Sequence, residues 1–104
     1  MGARAKLAKT QVEGETVDVP VTTLDDLLDN KRKVAVLQLD IEDFELPALV
    51  GGQQMIKRDR PVVILEAQKP WLQREYLDKL NALCGEDIYR FSGVIDRNAV
   101  YRVV

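Results

Sequence analysis

Histidine is absent from this sequence, cysteine occurs once, and aromatic residues make up only 6% of it. Without an imidazole, Ser-His and Cys-His nucleophile pairs and histidine-ligated metal centres are excluded. The single cysteine, Cys84, permits no internal disulfide, which fits a reducing compartment and a cytoplasmic location. It falls on the apolar stripe of a predicted helix, where a thiol serves as a small core group. No apolar run reaches membrane-spanning length, and Arg4, Lys6 and Lys9 are not followed by the apolar stretch of a secretion signal. Charge of neither sign dominates. Fifteen Lys and Arg stand against 17 Asp and Glu, a net charge of -2, so neither nucleic acid nor an anionic membrane is expected as a partner. The basic clusters at residues 31–33 and 57–60 read as solvated ends of elements.

What is present is ordinary globular composition: 104 residues, 46% hydrophobic and 31% charged, enough for one domain with a modest core. The chain is organised around residues 33–45, KVAVLQLDIEDFE. An apolar, Val-containing run this short predicts a strand buried on both faces, as in the middle of a parallel sheet. It stops in the acids Asp40, Glu42, Asp43 and Glu45, which places carboxylates at the C-terminal end of a strand. Ligands of open α/β sheets bind at that edge, because the loops leaving the strands splay into a crevice there.

Upstream, residues 1–9 read as a short helix or a loose end. Val17, Val19 and Val21 alternate with Asp18 and Pro20, which predicts an edge strand, since proline cannot donate to a ladder. Thr22 or Thr23 caps a predicted helix with Asp25 and Asp26 in its first turn, Leu24, Leu27 and Leu28 on its buried stripe, and Asn30 at its end. Downstream, Pro47 is tolerated only in a first turn, so a helix must start near Phe44 or Glu45, and Gly51 and Gly52 should break or bend it. Residues 61–67, PVVILEA, form a second buried strand ending on Glu66, and the strand, helix, strand unit predicts a right-handed parallel crossover. Pro70 opens a helix with Leu72, Tyr76, Leu77, Leu80, Leu83 and Cys84 at helical spacing and Gly85 as its C-cap. Residues 88–91 and 99–104 are predicted strands, antiparallel neighbours across a loop at 93–98.

This order resembles the C-terminal half of a class I S-adenosylmethionine-dependent methyltransferase, and more closely the FkbM family. The family's signature is similar to a TLDDLL segment, a strand ending in Lys-Ile-Asp-Val-Glu-Gly-x-Glu, a Leu-x-Gly-Gly helix, and a Pro-led strand ending in Glu. Here these stand at residues 23–28, 38–45, 49–52 and 60–66. Gln38 stands where the family usually has Lys, and Asp43 where it usually has Gly. The resemblance covers residues 19–104 and implies a partial Rossmann-like α/β sheet: parallel strands, a C-terminal antiparallel hairpin, and helices packed on the sheet. The family's Gly-rich cofactor loop has no counterpart in residues 1–21. The chain therefore reads as a single domain, 1–104, corresponding to the C-terminal portion of such a methyltransferase, with the N-terminal cofactor-binding half absent.

The resemblance implies S-adenosylmethionine as cofactor and methyl transfer to a hydroxyl oxygen of a sugar or secondary metabolite. It places Asp40 in the crevice, where its carboxylate accepts a proton or orients the acceptor. Asp40 and Glu42, two apart, face one side of an extended chain; the competing reading is that they ring the N-terminus of the following helix. Glu66 occupies the matching place on the next strand, and Glu45 reads as structural. Trp71 reads either as part of a substrate wall or as packing at a helix start. Three carboxylates alone are a weak metal signal, and no metal is assigned. The partners expected are a small-molecule acceptor and either a second copy or a complementing N-terminal half that supplies the cofactor loop; the long hydrophobic edge of the strand at 34–40 is expected to be covered by residues 17–21 or by a second copy. The alternative function is a non-catalytic α/β module for binding or assembly.

Overall fold

The computed structural model describes residues 7–12, 15–20, 25, 33–40 and 44–104. The first two strands, β1 (Leu7–Val12) and β2 (Glu15–Pro20), form an antiparallel pair. The acid-tipped run is β3 (Val34–Leu39), followed by helices α1 (Glu45–Gly51) and α2 (Gln53–Asp59), strand β4 (Val62–Glu66) and helix α3 (Pro70–Cys84). Strands β5 (Tyr89–Ile95) and β6 (Asn98–Val103) close the chain. The six strands make one sheet in the order β2-β1-β3-β4-β6-β5. Only β3 and β4 are parallel; every other neighbouring pair is antiparallel.

Local chemistry accounts for the helix boundaries. Pro47 sits in the first turn of α1, where its missing N–H leaves no intrahelical bond unmade. Gly52 ends α1, its N–H donating to the carbonyls of Ala48 and Leu49, and its own carbonyl accepts from Ile56 to begin α2. Having no side chain, Gly52 cannot cap α2; Asp25 does so from a distance, its carboxylate accepting the N–H groups of Gln54 and Met55 at 2.9 Å each. Pro70 opens α3, and Gly85 closes it in the left-handed conformation at φ 71°.

The helices pack on one face of the sheet. Leu37, Leu39, Val63, Leu65, Ala99 and Tyr101 from the strands are buried there against Leu49, Met55, Ile56, Tyr76, Leu80 and Cys84. Two phenols tie the layers together, Tyr89 donating to the Pro61 carbonyl and Tyr101 to the Gln73 carbonyl, and burial pushes both phenol pKa values up. Asn81 fastens α3 to β5, its side-chain oxygen accepting the N–H groups of Ile88 at 2.9 Å and Tyr89 at 2.7 Å.

Four expectations need correction. Strands β3 and β4 are fully buried on one face only: Val36, Gln38, Val62 and Ile64, on the other, are half-buried, because no described helix covers them. Residues 7–9, expected as part of a short helix or loose end, belong to β1. The outer edge of β3 is covered by β1 and not by residues 17–21, which lie mostly in β2, one strand further out. Where β1 meets β3, Gln11 pairs with Val36 and Val12 with Val34, so Ala35 is an extra residue that bends the strand. Finally, β5 runs on to Ile95, and the expected loop shrinks to a turn at Asp96 and Arg97. Both residues are left-handed, φ 49° and 69°, the twist that suits a tight hairpin. The helix expected over residues 22–30, apart from Asp25, and the acids Glu42 and Asp43 lie outside the described residues.

Candidate active site

Because β3 and β4 are parallel and Leu39 is in register with Leu65, the residues that follow them, Asp40 and Glu66, emerge side by side at one edge of the sheet. Strand β6 runs antiparallel to β4 and sets Asn98 beside Glu66. The hairpin turn therefore arrives at the same edge. It is held there by the Ala67 N–H donating to the Arg97 carbonyl at 3.0 Å, and by the Asn98 side-chain amide donating to the Asp96 carbonyl at 3.0 Å. Together Gln38, Asp40, Glu66, Asp96, Arg97 and Asn98 line a cleft of about 440 Å³. By strand alternation Gln38, Glu66 and Asn98 belong to the face away from the helices, so the cleft opens there.

The described lining is polar: three carboxylates, one guanidinium and two amides. Carboxylates accept protons and hydroxyl hydrogen bonds, and the amides and guanidinium donate, so the cleft is equipped to hold and orient a hydroxylated group. Asp40 and Glu66 are both exposed and both line it. Glu42 lies outside the described residues. Trp71, in the first turn of α3, is 67% exposed and is not among the residues lining the cleft. Glu45 is buried in the first turn of α1 and accepts from the Tyr76 hydroxyl at 3.4 Å, a structural position. A second depression, of about 530 Å³, is lined by Gln53, Gln54, Lys57, Arg58 and Leu83. It lies along α2 and holds no pair of acid and base groups. Among the described residues no group of three or more His, Cys, Asp or Glu is placed to hold a metal ion.

Sequence reasoning missed Asp96, Arg97 and Asn98. The two β-branched and aromatic runs FSGVI and NAVYRV with only Asp-Arg between them are the available signal for a two-residue turn, and that turn fixes the register which brings Asn98 to Glu66.

A family model described as the methyltransferase FkbM domain matches residues 2–103. The chain belongs to the FkbM methyltransferase family. Among solved structures, this FkbM domain is similar to the crystal structure of methyltransferase FkbM from Methylobacillus flagellatus KT, with a TM-score of 0.60 and 21% identity. That likeness concerns the fold. It covers 98% of this chain and 27% of the other, so the chain spans about a quarter of that protein's length. No curated protein matches the sequence.

Membership of the FkbM family suggests S-adenosylmethionine as methyl donor, and the cleft can be tested for it. An adenosyl group calls for an apolar slot for the purine and for close backbone approach or an acid at the ribose. Among the described residues the cleft is lined by no apolar side chain and no glycine. The described residues of this FkbM domain do not make a seat for the whole cofactor.

Proposed function

We propose that this FkbM domain supplies the acceptor-activating edge of an S-adenosylmethionine-dependent methyltransferase acting on a hydroxyl oxygen of a sugar or secondary metabolite. In this reading Asp40 takes the hydroxyl proton, and S-adenosylmethionine, when bound, would supply the methyl group to that oxygen and leave as S-adenosylhomocysteine. Glu66 and Asn98 hold neighbouring hydroxyls, and Arg97 donates to an acceptor oxygen. The observation that carries this is the convergence of Asp40 and Glu66, from separate strands, in one polar cleft at the C-terminal edge of the parallel pair.

A second reading is a non-catalytic module for binding or assembly. It is favoured by a polar cleft whose described lining offers no cofactor seat. Transfer of radiolabelled methyl from S-adenosylmethionine to a panel of neutral sugars, with wild-type chain and Asp40→Asn, separates the two. The enzyme reading expects transfer that falls by about 10²-fold in Asp40→Asn, the usual contribution of a positioned base. No transfer by the wild type, together with no heat on titration with S-adenosylhomocysteine up to millimolar concentration, gives the module reading.

A further inference from the structure

Behind the edge of the cleft runs a closed chain of contacts. Ala67, the residue after Glu66, is only 1% exposed, and both of its backbone groups are engaged by other elements. Its N–H donates to the Arg97 carbonyl at 3.0 Å, and its carbonyl accepts from the side-chain amide of Gln73, in the first turn of α3, at 3.0 Å. Gln73 is itself held, because its backbone carbonyl accepts from the Tyr101 hydroxyl at 2.7 Å. Tyr101 lies on β6, the strand that begins at Asn98, and Asn98 pairs with Glu66. The contacts thus form a ring, from Gln73 through Ala67 to the hairpin turn and back along β6 to Gln73.

This ring encloses backbone that does not keep its shape unaided. Asp96 and Arg97 both stand in the left-handed region, at φ 49° and 69°, and neither is glycine. A side chain crowds the backbone there, so the conformation persists only where its surroundings impose it. Bonds on both sides of the Ala67 Cα fix the direction in which the chain leaves Glu66 and, through the Arg97 carbonyl, the place of the turn. We propose that Gln73 is a positioning residue for the cleft: its amide locks Ala67, and Ala67 holds Arg97 and Asn98 beside Glu66. The inference rests on the reading of this edge as the acceptor's site, and it assigns Gln73 to the groups that hold the acceptor. Asp40 follows β3 and stands outside the ring.

Amide hydrogen exchange and side-chain amide resonances read the ring without any reaction. Gln73→Met keeps the length of the side chain and removes the donor, whereas Gln73→Arg returns an N–H at the same number of bonds from the backbone. In Gln73→Met the Ala67 amide is expected to exchange about tenfold faster, roughly the worth of one hydrogen bond, and the Asn98 side-chain resonances to move. Ile88 and Tyr89, whose N–H groups are held by Asn81 at the far end of α3, should keep wild-type rates. Gln73→Arg should return Ala67 towards the wild-type rate. Unaltered exchange at Ala67 in Gln73→Met overturns the proposal. So does a loss of protection that reaches Ile88 and Tyr89, which would make Gln73 a support for α3 as a whole. In methyl transfer, Gln73→Met is expected to raise the acceptor's KM and leave kcat near the wild-type value, the mark of lost binding with the chemistry kept. A fall in kcat at constant KM overturns the proposal too. A wild type that transfers no methyl counts against the methyl-transfer reading alone, and the exchange pattern still decides the role of Gln73.

Discussion

At the scale of single residues, Asp59 does more than its place at the end of a helix suggests. It is only 7% exposed, and its carboxylate accepts the N–H of Val34 at 3.0 Å and the guanidinium of Arg58 at 2.8 Å and 2.9 Å. The Arg58 guanidinium holds its carboxyl below the usual range, against the opposing effect of burial. A depressed folded pKa means that the stabilisation is fully present above the unfolded value, about 3.9, and is lost as pH falls through the lower folded value. Asp59→Asn is therefore expected to cost about 1–3 kcal/mol near neutrality in urea unfolding, because a charged bond partner of Arg58 is removed. It should also flatten the loss of stability that the wild type shows below about pH 4. An unchanged acid limb would mean that other carboxylates carry it. None of this was legible beforehand, since KRDR reads as a solvated polar turn and only the packing of α2 against the start of β3 buries the third of its residues.

The elements were largely legible, and where they were, the cause was local. Pro47, Pro70 and Gly85 sit where missing N–H groups or left-handed backbone are tolerated, so the helix limits near residues 45, 70 and 84 could be read directly. The Gly51-Gly52 break was readable for the same reason, but its repair was not. Asp25, in the TLDDLL segment, caps α2 in place of the side chain Gly52 lacks, which gives a physical reason for two separated pieces of the family signature to occur together. Asp25→Ala should cost about 1 kcal/mol, the usual worth of a helix cap. Asp25→Asn, which keeps one acceptor, should cost less. Hydrogen exchange at Gln54 and Met55 reads the effect directly, and protection there unaltered by Asp25→Ala would show the cap to be dispensable.

At the scale of the whole molecule the sheet is built from two unlike parts. A parallel pair at the centre carries the cleft, and antiparallel hairpins flank it on both sides. The hairpin of β1 and β2 occupies the edge of β3 that would otherwise present a long hydrophobic template to other chains. Deleting residues 1–20 is expected to make the chain aggregate, read by light scattering at constant concentration. A truncated chain that stays soluble and keeps its mass would show that the edge is protected some other way.

By itself the sequence determined the acid-tipped strand, the parallel partner ending on Glu66, the helix limits and the family, because each depends on residue chemistry within a few positions. Only the tertiary structure decided that β1 covers β3, that no described helix covers one face of the sheet, and that a tight Asp96-Arg97 turn brings Asn98 to the edge where Asp40 and Glu66 emerge. These depend on which distant segments pair and in what register. That is settled by hydrogen bonds between strands far apart in the chain, and alternation within any one strand does not specify its neighbour.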